Sequence, residues 1–372
     1  MLPTHLRKFS EMYATYGLGA VKNVWLLACL IPLARTVNLY KLKDYVGGVM
    51  GNADTQTESH YKRLIRFFQD WGGREDLLHD LMRTNLRFLR KQGFTTLVLD
   101  GTSWTIGETK VQYLVLSVLV HSVAVPIYWV QLEKLGASNQ EERKDMFEKA
   151  LTLFDLKGMT LLADREYVGK EWFKFLKDKG IGFVIRLKFA DYYQEVDALK
   201  GKSYQSMYDK CLSKGKLVRK QIVIAEQAYW MVMIPNTKAD NDEAALIFLT
   251  TLPPIMKTVQ LYVQRWKIEC LFRHLKTNGY NLEDLNLKDA GKNQLMMAIV
   301  TTAYILAARE GWRRRRQIPP QRYKDGSATL EVSIFRKGLG ILVAKCLRFI
   351  DFLQYVISIL EHEKHPFCKN VQ

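Results

Sequence analysis

Along the first 92 residues, apolar positions recur at helical spacing. Asn23 to Thr36 reads as an apolar helix kinked at Pro32, and Asn38 to Val46 as a short helix closed by Gly47-Gly48. Thr55-Gln-Thr-Glu58 has the spacing of a capping box, and the helix it opens puts Tyr61, Leu64, Ile65 and Phe68 on one face. His60, Lys62, Arg63 and Arg66 fall on the other. At Gly93 the period changes. Thr95 to Asp100 reads as a buried strand turned by Gly101-Thr-Ser103, and Val111 to His121 and Val123 to Glu133 complete a three-stranded antiparallel meander. Ser138 or Asn139 caps a helix running to about Leu156. Strand Met159 to Ala163, helix Lys170 to Lys179 and strand Gly182 to Leu187 complete a β-β-β-α-β-α-β order.

The same alternation defines the domains. Residues 1–92 are an N-terminal helical domain and 93–188 the first part of an α/β core. Strand-like runs at Arg219 to Ala225, Ala228 to Ile234 and Ala245 to Thr250 make 189–250 too β-patterned for a loop, so it reads as a small inserted β domain. The core resumes over 251–316 with a buried helix, Leu295 to about Trp312, and 317–372 is a helical tail. No internal repeat, low-complexity tract, Walker-type glycine loop or GxSxG elbow is present.

Tyr262 to Lys276 organises the second part of the core. At about 100° per residue, Tyr262, Arg265, Glu269 and Lys276 fall at roughly 0°, 300°, 340° and 320°, with Arg273 near 20°. Leu261, Ile268, Leu271, Phe272 and Leu275 form an adjoining apolar stripe that seats the helix. A carboxylate is thereby held among donors.

Charge changes the picture next. The 372 residues carry 55 Lys and Arg against 38 Asp and Glu, a formal +17, which favours a polyanionic partner, nucleic acid first. With 48% apolar and 12% aromatic residues the chain is globular. On that reading the basic face with His60, Lys62, Arg63 and Arg66 is a candidate for DNA-end recognition, the second helix of a helix-turn-helix. A solvated face has the same pattern. Trp230 is a candidate for stacking on an unpaired base, against the plainer reading of a core residue in a strand. The run Arg313 to Arg316 is either a solvated helix end or a phosphate contact. Five scattered cysteines without a CxxC pair exclude a disulfide framework or zinc ribbon and fit a reducing cytoplasm. His362, His365 and Cys368 are at most a remote metal-ligand set. The apolar runs Val24 to Ala34 and Ile341 to Leu360 are too short or too charged to be membrane spans, so no membrane partner is expected.

Asp100 and Asp164 each follow a hydrophobic strand, where α/β folds place their crevice. With Glu269 they form three carboxylates able to meet at one sheet edge. Such oxygens suit Mg2+, and a pair of these ions serves phosphodiester chemistry.

These motifs carry a resemblance. Tyr262-(2)-Arg265-(3)-Glu269-(6)-Lys276, Asp100 in Leu-Val-Leu-Asp-Gly-Thr-Ser-Trp and Asp164 in Leu-Leu-Ala-Asp-Arg-Glu-Tyr resemble the DDE transposases of bacterial insertion sequences, within them the insertion sequence 4 family. The resemblance runs from about Phe94 to Asp289. It implies an RNase H-like core, a mixed sheet flanked by helices and interrupted by a β-rich insertion. It also implies two Mg2+ held by Asp100, Asp164 and Glu269, with Mn2+ expected to substitute. The implied activity is cut-and-paste transposition: strand cleavage at the element's ends, a hairpin intermediate, and joining of the 3′ ends to target DNA. Tyr262, Arg265 and Lys276 would hold phosphates, and Arg273 joins them from its place on the helix. A homodimer on double-stranded DNA and a place at the bacterial nucleoid follow as expectations. The alternatives are a non-catalytic DNA-binding relative and an RNase H-like cellular nuclease without strand transfer.

Overall fold

The described residues of the first quarter of the chain are helical, as their periodicity predicts. The computed structural model describes residues 14–52, 54–89, 93–199, 203–236, 243–324 and 326–362. It opens with α1 (Gly17–Ala34), α2 (Leu39–Met50), α3 (Thr57–Trp71) and α4 (Glu75–Arg87). α1 exceeds the apolar run seen in the sequence and is long and apolar enough to cross a membrane. Its residues Val24 to Pro32 are buried inside the protein, under helices from both ends of the chain. Two expected helix ends differ. α2 runs through Gly47-Gly48 and closes at Gly51, whose φ of 70° suits glycine. α3 has no side-chain cap: its N-cap is Gln56 rather than Thr55, and Glu58 is drawn to Lys43 of α2.

The meander is present as β1 (Thr96–Ile106), β2 (Thr109–Val120) and β3 (Val123–Leu132). β1 is longer than expected, continuing through Gly101 and Ser103 to turn at Gly107. β3 is an edge strand. It therefore tolerates Pro126, which lies beside a register irregularity opposite Leu116 and Ser117. α5 (Gln140–Leu153) starts in a complete capping box between Asn139 and Glu142. β4 (Thr160–Ala163), α6 (Lys170–Asp178) and β5 (Gly182–Leu187) follow. β4 lies parallel between β1 and β5, and its run Thr-Leu-Leu-Ala suits a strand covered on both faces.

The inserted segment corrects the expectation of a separate β domain. After α7 (Tyr193–Asp197) and α8 (Tyr204–Lys214), the strands β6 (Val218–Ile224), β7 (Gln227–Pro235) and β8 (Ala245–Thr250) join the core sheet. β8 pairs antiparallel with β5, giving eight strands in the order β3-β2-β1-β4-β5-β8-β7-β6. The backbone edge of β5 needs a partner, and the buried run of β8 supplies one. The exposed edge falls to β6, where Arg219, Gln221 and Val223 face solvent.

Beyond the sheet come α9 (Met256–Tyr262), a 3-10 turn (Val263–Trp266), α10 (Lys267–Leu275) and α11 (Ala290–Arg313). α11 is buried along most of its length and packs on β3, α1 and α4. The tail is not wholly helical. It begins with a two-stranded hairpin, β9 (Pro320–Arg322) and β10 (Ala328–Leu330), before α12 (Ile334–Lys345) and α13 (Phe349–His362). α12 crosses α11 at two glycines. A Cβ on Gly338 would lie 1.7 Å from the Ala307 carbonyl oxygen, and one on Gly311 1.9 Å from that of Ile334. His365, Cys368 and the side chain of His362 lie outside the described residues.

Candidate active site

Register brings the first two acids together. Leu99 of β1 pairs with Ala163 of β4, so Asp100 and Asp164 occupy the next rung of a parallel pair. Because strand side chains alternate, both turn to the face opposite Leu99 and Ala163. Only Asp164 lies past the end of its strand; β1 continues beyond Asp100 in its pairing with β2. Each carboxylate accepts the backbone N–H of its successor, Gly101 at 2.9 Å and Arg165 at 2.8 Å. Gly101 has no room for a side chain of its own without crowding Gln112, whose Nε2 lies 3.0 Å from where a Cβ would sit.

The third acid arrives from the segment Tyr262 to Lys276, which is not one regular α-helix as the wheel assumed. A 3-10 turn tightens it at Val263–Trp266, yet Arg265 and Glu269 remain on the side facing the two aspartates. The apolar stripe behaves as predicted: Ile268, Leu271, Phe272 and Leu275 are buried, and α10 packs on β3 and β1.

Arg265 stands among the acids. Its Nη1 donates to Asp100 Oδ2 at 3.2 Å, and its Nη2 donates to Glu269 Oε1 at 2.7 Å and ion-pairs with Asp164 Oδ2 at 3.6 Å. Three carboxylates so close repel unless a cation lies between them, and the planar fork of arginine reaches all three. Burial opposes the guanidinium's charge, but Tyr262, Asp164, Asp100 and Glu269 outweigh it, so its pKa is raised. Burial pushes Asp100 up to about 7 against the pull of Arg265 and the Gly101 N–H, with Glu166 and Glu269 adding to the rise. The Tyr262 hydroxyl points at Asp164 Oδ1, 3.4 Å away, and burial and that carboxylate raise its pKa.

The expected metal ligands are thus gathered around an arginine. Among the described residues no group of three His, Cys, Asp or Glu side chains is assembled as a metal-binding cluster. The donor chemistry nonetheless fits a hard divalent cation: three carboxylates already share one positive charge.

The acids line an open groove of about 730 Å³ with Arg273 and Lys276. Arg273 is exposed on its wall. Lys276 is tied down, its Nζ donating to the Ser103 carbonyl oxygen at 2.8 Å, which fastens the end of α10 to β1. Sequence reasoning missed the support of the Asp164 loop. Arg143, buried on α5, donates to the carbonyl oxygens of Ser138, Glu166 and Val168 and lies over the Tyr167 ring. Its helical spacing looks like that of any solvated arginine. Arg165 and Arg186 share the Glu243 carboxylate; Arg165 was legible as a neighbour of Asp164, whereas Glu243, 78 residues on, carried no signal.

The remaining candidates lie elsewhere. Trp230 is half-buried in β7 and does not line this groove. His60 is buried, correcting its placement on an outer face, and burial together with the Arg63 charge lowers its pKa. Arg63 is half-buried and donates to Asn23 Oδ1 at 2.7 Å. Lys62 and Arg66 are exposed.

Residues 91–306, more than half of the chain, match the family described as Transposase DDE domain, and the match contains all three acids. The chain belongs to this DDE transposase family. The match begins just before β1 and ends inside α11, so the helical N-terminal region and the β9–β10 hairpin lie outside it. No curated protein matches the chain. Among solved structures, this DDE transposase is similar to a chain of the piggyBac transposase synaptic complex with hairpin DNA, determined by cryo-EM. That alignment covers 94% of this chain and 77% of the other at 10% identity, with a TM-score of 0.46.

Proposed function

We propose that this DDE transposase cuts and pastes an insertion sequence of the insertion sequence 4 family: it binds the element's ends, cleaves them and joins the 3′ ends to target DNA. The observation that carries the reading is the meeting of Asp100, Asp164 and Glu269 on one guanidinium inside a groove walled by further cations. We read β1 to β5 as an RNase H-like core, since its order β3-β2-β1-β4-β5 brings Asp100 and Asp164 to adjacent strands.

Asp100, Asp164 and Glu269 would hold two Mg2+, or Mn2+, which when bound activate an attacking oxygen and stabilise a leaving one. The chain's own groups do the rest. The Gly101 and Arg165 N–H groups fix the two aspartates. Arg265 and Arg273 offer donors to the phosphate being cut and its neighbour. Lys276 keeps α10 docked to β1, so Glu269 stays within reach of the aspartates. Hydrolysis, attack of the freed 3′-hydroxyl on the opposite strand to form a hairpin, reopening, and attack on target DNA are all phosphoryl transfers. One site serves each when the attacking oxygen changes, water for the first cut and the reopening, the 3′-hydroxyl for hairpin formation and joining. Two ends must be held together, so the working form is a homodimer on DNA, at the bacterial nucleoid, with Lys62 and Arg66 on the outer face of α3 contacting the ends.

The deciding experiment is strand cleavage of DNA carrying the element's native ends, by wild type and Glu269→Gln, with and without Mg2+. Cleavage at the ends by wild type alone, and only with the ion, is expected. Binding without cleavage by both proteins, across divalent ions and salt, would replace this reading with that of a non-catalytic end-binding protein.

A further inference from the structure

The β9–β10 hairpin has no hydrophobic reason to exist. Every residue of both strands is exposed, so neither face of the ribbon covers a core. An isolated two-stranded ribbon is marginal in water, yet this one is closed by a full set of bonds. The Tyr323 N–H donates to the Ser327 carbonyl at 2.9 Å, the Glu331 N–H to the Pro319 carbonyl at 3.0 Å, and the Tyr323 and Thr329 hydroxyls meet at 3.1 Å.

Its charge is one-sided. From Arg313 to Glu331 the chain has six Arg or Lys and two acids. Glu310 engages Arg313 and Arg314 at the end of α11. Arg315, Arg316, Arg322 and Lys324 are exposed and make no ion pair among the described residues. The hairpin also borders the chemistry. A second groove, of about 1040 Å³, is walled by Ala328 to Leu330 and shares Arg273 and Thr277 with the groove of the three acids.

A two-stranded ribbon is one of the few elements a DNA major groove admits, and arginines and lysines on it neutralise phosphates whatever the sequence. We infer that the β9–β10 hairpin and the Arg315-Arg316 step at its base grip duplex target DNA and lay it along α10 toward the acids. The inference rests on the transposase reading. Target DNA is favoured over the element's ends because the unpaired groups are phosphate-holding cations, which position a duplex without specifying its sequence.

The test compares wild type with Arg322→Ala/Lys324→Ala and Arg315→Ala/Arg316→Ala. Melting temperatures should match, since these side chains are exposed. On plain duplex without element ends, both variants should bind more weakly, with a salt slope shallower by roughly 0.9 for each phosphate no longer neutralised. On end-bearing DNA, joining to a target plasmid should fall about tenfold or more while end cleavage stays within about twofold of wild type. Unchanged duplex binding by both variants would overturn the inference. So would an equal loss of cleavage and joining, which would assign the hairpin to the element's ends. Should wild type neither cleave nor join, the transposase reading falls on its own, and plain-duplex binding still decides the hairpin.

Discussion

Arg265 carries the charge balance of the site. Among the described residues it is the one cation in contact with all three acids, and it is only 14% exposed. Arg265→Ala should therefore cost on the order of 1–2 kcal/mol of stability in chelator, because Asp100 and the more exposed Asp164 and Glu269 lose their shared partner, and solvent screens the two outer acids. Arg265→Lys should recover little of it, since a point charge cannot reproduce the fork. Chemical denaturation of the three proteins reads this directly, and equal stabilities would remove Arg265 from the balance. Asp100 adds a pH signature. Its carboxyl is pushed up to about 7 in the fold, against 3.8 ordinarily. Between those values the unfolded chain releases the proton and the folded one keeps it, so rising pH works against folding. Asp100→Asn removes that penalty. Its stability relative to wild type should climb between pH 4 and 7 and level off above 7, by up to about 4 kcal/mol. A difference independent of pH would show that the carboxyl titrates normally.

At the scale of elements, the site depends on how α10 is seated. The 3-10 turn before it, the Lys276 contact with Ser103 and the apolar stripe each fix one part of its position. Behind it, Phe335 of α12 stacks on the His274 ring at 4.6 Å, so α12 supports α10 directly. That support requires the close crossing at Gly311 and Gly338. Gly338→Ala should force α12 off α11 and cost about 1–3 kcal/mol. It should also raise the pKa of His274, which burial first and the Arg273 charge second hold at about 4. Thermal melts and a histidine titration by NMR check the two effects; an unchanged melt and titration would mean the helices simply slide apart. Helix existence was legible from periodicity, as α3, α5 and α11 show. Helix ends were not. Glu58 fits a capping box in sequence and is taken by Lys43 in space.

For the whole molecule, the formal +17 sets the expectation for DNA. If the exposed cations meet phosphates, affinity for end-bearing DNA should fall about 10³-fold or more between 50 and 200 mM salt, as for a protein making several phosphate contacts. Fluorescence anisotropy across that range tests it, and a flat response would place the charge away from the interface. By itself the sequence determined the candidate residues for the chemistry and most of the segments that are helix or strand, though not the β9–β10 hairpin in a tail that reads as helical. An acid after a buried strand and a spaced set of polar residues on one helical face are local patterns, written in neighbouring positions. Only the tertiary structure decided that the inserted strands extend the core sheet, that Arg265 sits among the carboxylates, and that Arg143 props the Asp164 loop. Those outcomes depend on which strand edge, charge or carbonyl is left unsatisfied once distant segments pack, and no local pattern encodes that.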